Sequence, residues 1–85
     1  MQVIYQKRFQ KKFLVLSEKL KQRFYERLDL FMRDKFDEAL NNHSVDTAYP
    51  GCRSINITGD YRAIFREEEN SVTFITIGTH PQLYG

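Results

Sequence analysis

The chain opens with a short apolar burst, Val3-Ile4-Tyr5, whose β-branched and aromatic side chains favour an extended strand. Apolar residues then return with a different period. Phe9, Phe13 and Leu16 fall at i, i+4 and i+7, one face of a helix, and lysines occupy the opposite face. Ser17 suits an N-cap, followed by Glu18 in the first turn, where the helix dipole favours an acid. Leu20, Phe24, Leu28 and Phe31 mark a second helical stripe. No proline precedes Pro50, so one long helix bent near Ser17 is allowed. Two antiparallel helices fit better, because both stripes then cover one sheet face.

Around Asp37 the helical pattern fades, and Asn41-Asn42-His43-Ser44 and Pro50-Gly51 read as loop. Beyond them the period switches to two. Arg53, Ile55 and Ile57 share one face of a strand, Gly59-Asp60 predicts a two-residue hairpin turn, and Tyr61 to Arg66 returns. The acidic stretch Glu67 to Asn70 turns the chain again, and Val72 to Gly78 makes a further strand. Pro81 disfavours helical dihedrals at His80, which predicts an extended backbone there as the strand ends. The order β-α-α-β-β-β predicts an α+β fold: two N-terminal helices packed on an antiparallel sheet, with residues 1–85 as a single domain.

Composition supports a core without covalent staples. Seven Phe and five Tyr, with Leu and Ile, can fill one interior at 85 residues. The lone Cys52 cannot close an intramolecular disulfide, which suits a reducing compartment. It reads as a small buried apolar residue rather than a nucleophile, since no histidine lies near it in sequence. No apolar run approaches the ~18 residues of a membrane span. The N-terminus lacks the layout of a signal peptide, so a cytoplasmic protein is expected.

The net charge of +2 conceals an uneven distribution. Residues 1–36 carry ten Lys/Arg against four Asp/Glu, a net +6; residues 37–85 carry three against seven, a net −4. A basic first half suits either a polyanionic partner or simply a solvated helix face.

Chemistry gathers in the second half. His43 lies in the loop and His80 at the end of the last strand. Two imidazoles near one phosphate can serve as general base and general acid. Asp60, in the hairpin turn, can orient one of them, and Arg53 and Arg62 offer forked donors for phosphate oxygens. Each residue also has an ordinary reading. His43 beside two asparagines suits a solvated loop, His80 a backbone cap, Asp60 a plain turn. Arg62 could pair with Glu67, Glu68 or Glu69, and Tyr84 could fill the core instead of stacking on a ligand. His43, His80 and Asp60 match no zinc spacing, so no metal site is expected.

Gly59-Asp60-Tyr61-Arg62-Ala63-Ile64-Phe65, followed by Ile77-Gly78-Thr79-His80-Pro81-Gln82-Leu83-Tyr84, resembles the small toxins of the RelE/ParE superfamily, most of all the YafQ branch. The resemblance spans nearly the whole chain in element order, with its specific part in residues 43–84. It implies a metal-independent endoribonuclease, without cofactor, that enters the ribosomal A site and cuts translated mRNA. It also implies a cognate antitoxin that wraps and silences the toxin.

Under this resemblance His80 matches the C-terminal catalytic histidine and Tyr84 the aromatic residue after it. Asp60 matches an acidic turn residue, His43 an upstream histidine, and Arg62 the strand arginine that stabilises the transition state. Arg53 supports Arg62, and Tyr61 or Tyr84 stacks a base. Asn56 stands where the YafQ type usually has another histidine; it can hydrogen-bond substrate but cannot transfer a proton. No lysine follows Lys35, which excludes the lysine-based mechanism of the RelE branch. Two other readings accompany this one: a ParE-like binder that poisons DNA gyrase by contact, and a weakened member acting only as an antitoxin-binding or repressor component.

Overall fold

The computed structural model describes all 85 residues. Strand β1 (Gln2–Tyr5) leads into helices α1 (Lys7–Leu14) and α2 (Glu18–Arg33). A single 3₁₀ turn (Glu38–Leu40) precedes β2 (His43–Ser44), β3 (Arg53–Asn56), β4 (Tyr61–Glu67) and β5 (Ser71–Thr79), and a short helix α3 (His80–Tyr84) ends the chain.

The caps fall where side-chain chemistry puts them. Ser17 Oγ accepts the Leu20 amide at 3.2 Å, and Glu18 sits in the first turn of α2. This serine cap separates the two helices, as expected, and Phe9 and Phe13 of α1 pack on Phe24 of α2 with ring centroids 5.2 and 5.3 Å apart. Asp37 Oδ1 caps the 3₁₀ turn by accepting the Ala39 amide at 2.9 Å. The turn then stops at Asn41, whose φ of 46° lies in the left-handed region that asparagine tolerates.

The four later strands form an antiparallel meander, and β1 joins its far edge parallel to β5, giving the order β1-β5-β4-β3-β2. The expected α+β fold is present, with a mixed rather than purely antiparallel sheet. Three elements come in addition: the 3₁₀ turn at Glu38–Leu40, the two-residue strand at His43 and the closing helix. The β3–β4 turn is also longer than the two residues expected. Ile57 N donates to Tyr61 O at 2.9 Å, so Thr58 to Asp60 form the loop, and Thr58 Oγ1 accepts the amides of Asp60 and Tyr61.

One sheet face is covered by α1 and α2. There Phe9, Phe24, Phe31, Ile55, Ile57, Phe65, Phe74 and Ile77 are all 2% exposed or less and form the main core. A bulge between Ile64 and Phe65 shifts the β4–β5 register, so Ile64 pairs Thr76 but Phe65 pairs Phe74. The opposite face holds a smaller cluster of Cys52, Ile64 and Leu83, flanked by Val45, Tyr49, Ile75 and Tyr84. Cys52 is buried and unpaired there, the apolar role expected of it. No helix is long and apolar enough to cross a membrane.

Candidate active site

Antiparallel partners share a sheet face. Two cross-strand rows therefore define the face away from α1 and α2. His43, Ser54, Ile64 and Thr76 stand side by side, and next to them Asn56, Arg62 and Gly78. Onto this face folds α3, anchored by Leu83, which is 7% exposed.

The last turn of sequence departs from expectation at His80. Its backbone is not extended; it opens α3, with Pro81 accommodated in the first turn. The reason is a capping box. Thr79 Oγ1 accepts the Gln82 amide at 3.4 Å, and Gln82 Oε1 accepts the Thr79 amide at 2.9 Å. Proline lacks an N–H, and the first helical turn needs none. His80 and Tyr84, one helical turn apart, then face the same way, with ring centroids 4.7 Å apart and planes tilted by 47°.

His43, Ser54, Arg62, His80 and Tyr84, with Val45, line one cavity of about 180 Å³. The two histidines, separate in sequence, thus meet at one concavity with a guanidinium between the strands. An adjoining hollow of about 350 Å³ shares Arg62 and His80 and adds Asp60, Tyr61 and Pro81 from the hairpin tip and the start of α3.

His43 and Arg62 are held by backbone carbonyls. His43 Nδ1 lies 2.7 Å from Asn41 O. A carbonyl only accepts, so Nδ1 carries the hydrogen, and in the neutral ring Nε2 keeps a free lone pair. Arg62 Nη1 donates to the Thr58 and Tyr61 carbonyls at 3.0 and 3.1 Å, which fixes one arm of the fork. Tyr84 has its phenol pKa raised above the ordinary value, first by burial and then by Tyr49, while Ser54 and Arg62 pull the other way. Even so, Ser54 Oγ is buried without a partner at hydrogen-bond geometry, as is Asn56 Oδ1.

Arg53 does not join this group. It pairs Phe65 in register, on the helix side of the sheet, whereas Arg62 pairs Asn56 on the other face. Arg53 Nε donates to Asn42 Oδ1 at 2.7 Å, Nη2 to Asn42 O at 3.3 Å, and the guanidinium lies 5.7 Å from the centre of the Phe36 ring. It braces the loop that carries His43. Arg62, in turn, makes no ion pair with Glu67, Glu68 or Glu69; Glu67 pairs with Lys35 and Glu68 with Arg66. No cluster of three His, Cys, Asp or Glu side chains is spaced to hold a metal ion.

Sequence reasoning missed Ser54 and Val45. Ser54 carries no motif and enters the cavity only through its register opposite His43. Its parity with Asn56, two residues on, is the signal that points to this face.

No protein-family model matches the chain, and no curated protein matches it by sequence. Solved structures do. YafQ from E. coli strain BL21(DE3) superposes with a TM-score of 0.83 at 16% identity, covering 98% of this chain and 97% of that one. The E. coli DinJ-YafQ complex gives a TM-score of 0.80 at 17% identity over 98% and 97% of the two chains. The YoeB/ParE toxin from Agrobacterium tumefaciens gives 0.77 at 13% identity over 94% and 99%. With its two N-terminal helices, mixed sheet and closing helix, the chain has the fold of the YafQ-like toxins of the RelE/ParE superfamily.

Proposed function

We propose that this protein is the toxin of a type II toxin–antitoxin pair and that it cuts translated mRNA in the ribosomal A site. The observation that carries the reading is that His43, His80, Arg62 and Tyr84 line a single cavity. The fold shared with YafQ and with the YoeB/ParE toxin supports it. The complex of YafQ with DinJ supports a protein antitoxin as partner.

In this reading His43 is the base. With Nδ1–H held by the Asn41 carbonyl, Nε2 takes the proton of a ribose 2′-hydroxyl. That oxygen attacks the adjacent phosphorus, and the 5′-oxygen leaves with a proton from His80, so the products end in a 2′,3′-cyclic phosphate and a 5′-hydroxyl. Arg62, pre-set by the Thr58 and Tyr61 carbonyls, points the rest of its fork at the phosphoryl oxygens where charge builds. Asp60 and Tyr61 border the adjoining hollow, where the acid orients His80 and the ring stacks a neighbouring base. Tyr84 stacks a base in the cavity itself. The buried Asn56 oxygen lies beside Arg62 in register and hydrogen-bonds substrate without moving a proton. None of these steps requires a metal or a cofactor. The lysines of α1 and α2 meet ribosomal RNA, with salt-sensitive affinity, and the place of action is the cytoplasm.

Induced expression tests the reading. Growth arrest is expected, with new mRNA 5′ ends inside translated codons. His80→Ala relieves the arrest and lowers cleavage by about 10²- to 10⁴-fold. Arrest that persists in His80→Ala with intact mRNA points instead to gyrase poisoning of the ParE kind. Harmless expression of the unaltered chain points to a weakened member whose remaining role is antitoxin binding or repression, as Asn56 would allow.

A further inference from the structure

Resting on the reading above, we infer that Tyr49 is a positioning residue that holds the His80 half of the site against the His43 half. A helix of five residues is far too short to persist by its own hydrogen bonds, so α3 keeps its place only through outside contacts. Its N-terminal end has the Thr79–Gln82 capping box. At the other end the last carbonyls lack helical partners. Tyr49 supplies one, its Oη donating to Leu83 O at 2.7 Å.

The Tyr49 ring meets Tyr84 edge to face, with centroids 5.9 Å apart and planes at 75°, and Tyr84 in turn packs on His80. The Arg8 guanidinium lies 6.0 Å from the centre of the Tyr49 ring. Tyr49 itself is immobilised by its own turn, since its amide donates to Val45 O at 2.9 Å and its carbonyl accepts the Cys52 amide at 3.0 Å. That turn connects β2, which carries His43, to β3. One side chain therefore ties the segment bearing one imidazole to the helix bearing the other. Tyr49 does not line the cavity, so it acts on substrate only through Tyr84 and His80.

Tyr49→Phe tests the inference, because it keeps the ring and removes only the donor; Tyr49→Ala removes both. In Tyr49→Phe, amide exchange at residues 82–85 is expected to quicken by about 2- to 10-fold, the worth of one hydrogen bond. The ring NMR signals of His80 and Tyr84 shift, kcat for mRNA cleavage on programmed ribosomes falls by a similar factor, and KM stays unchanged. Tyr49→Ala shows the same changes, larger. A folded Tyr49→Phe protein with wild-type exchange in α3 and unmoved His80 and Tyr84 signals overturns the inference. So does a Tyr49→Phe protein that loses thermal stability yet cleaves at the wild-type rate. Exchange and ring signals need no RNA, so they decide the point even if the unaltered protein cleaves nothing.

Discussion

Gln82 occupies the space that Gly78 leaves empty. A Cβ built on Gly78 would stand 2.9 Å from Gln82 Oε1 and 3.3 Å from Gln82 Cβ, with Leu83 Cδ2 at 3.5 Å. That same Oε1 accepts the Thr79 amide, so the bare backbone of β5 is what lets the capping box close over it.

Gly78→Ala is therefore expected to break the box and displace α3. Losing a cap costs about 1 kcal/mol. In a domain of this size that lowers Tm by roughly 4–8 °C. Gly59→Ala, at a position with nothing within 4 Å, is expected to leave Tm nearly unchanged. Thermal unfolding of the pair checks the contrast.

The two strand arginines should separate in their effects. Arg62→Ala is expected to lower mRNA cleavage by about 10²- to 10³-fold with little change in Tm, as for loss of a donor to transition-state charge. Arg53→Ala frees Asn42 and the loop before His43, so it is expected to lower Tm and reduce cleavage by less than Arg62→Ala does. Paired melting and cleavage measurements distinguish them.

Phe24 touches Tyr5, Phe9, Phe13 and Phe74 and is wholly buried. Truncation at the centre of this aromatic cluster costs about 3–5 kcal/mol. Such a loss takes most of the stability a small domain has. Phe24→Ala is expected to be largely unfolded near 37 °C by circular dichroism.

Alkaline pH should destabilise the protein in a defined order. Burial raises the Cys52 thiol above its ordinary value of 9.0, with Asp46 adding and Arg66 opposing. Burial likewise raises the phenols of Tyr5 and Tyr84 above 10.0. A raised folded-state pKa means the unfolded chain gives up its proton first. The stabilisation is thus complete below the unfolded value and is lost as pH rises through the folded one. Tm is expected to begin falling just above pH 9 and to fall further above pH 10. Cys52→Ala removes the first decline and keeps the second, which scanning calorimetry across this range resolves.

Much of this architecture was legible in short-range pattern. The pair Phe9-Phe13, the Ser17 cap and the alternation through β3 depend on neighbours a few residues away, and they appear as read. Leu16, read as the end of the same stripe, lies past α1, which stops at Leu14. The face of Arg53 was also legible: it has the parity of Ile55 and Ile57, the buried side, and that parity already opposed its joining Arg62. The start of α3 departs from the extended backbone that Pro81 alone predicts, because Thr79-His80-Pro81-Gln82 forms a capping box with proline in the tolerated first turn. What no local pattern carries is the parallel docking of β1 on β5, or the reach of Tyr49 to the Leu83 carbonyl 34 residues away.

That parallel docking has a consequence for how the molecule comes into being. The first strand has one sheet neighbour only, and it is the last strand to be synthesised. Until residues 71–79 emerge, the backbone groups of β1 lack their sheet partner. Local helices can form early, but ring closure between the two ends must wait, and such distant closures are slow. The complete sheet, and with it the cavity lined by His43 and His80, therefore forms only after residues 71–84 have joined the chain.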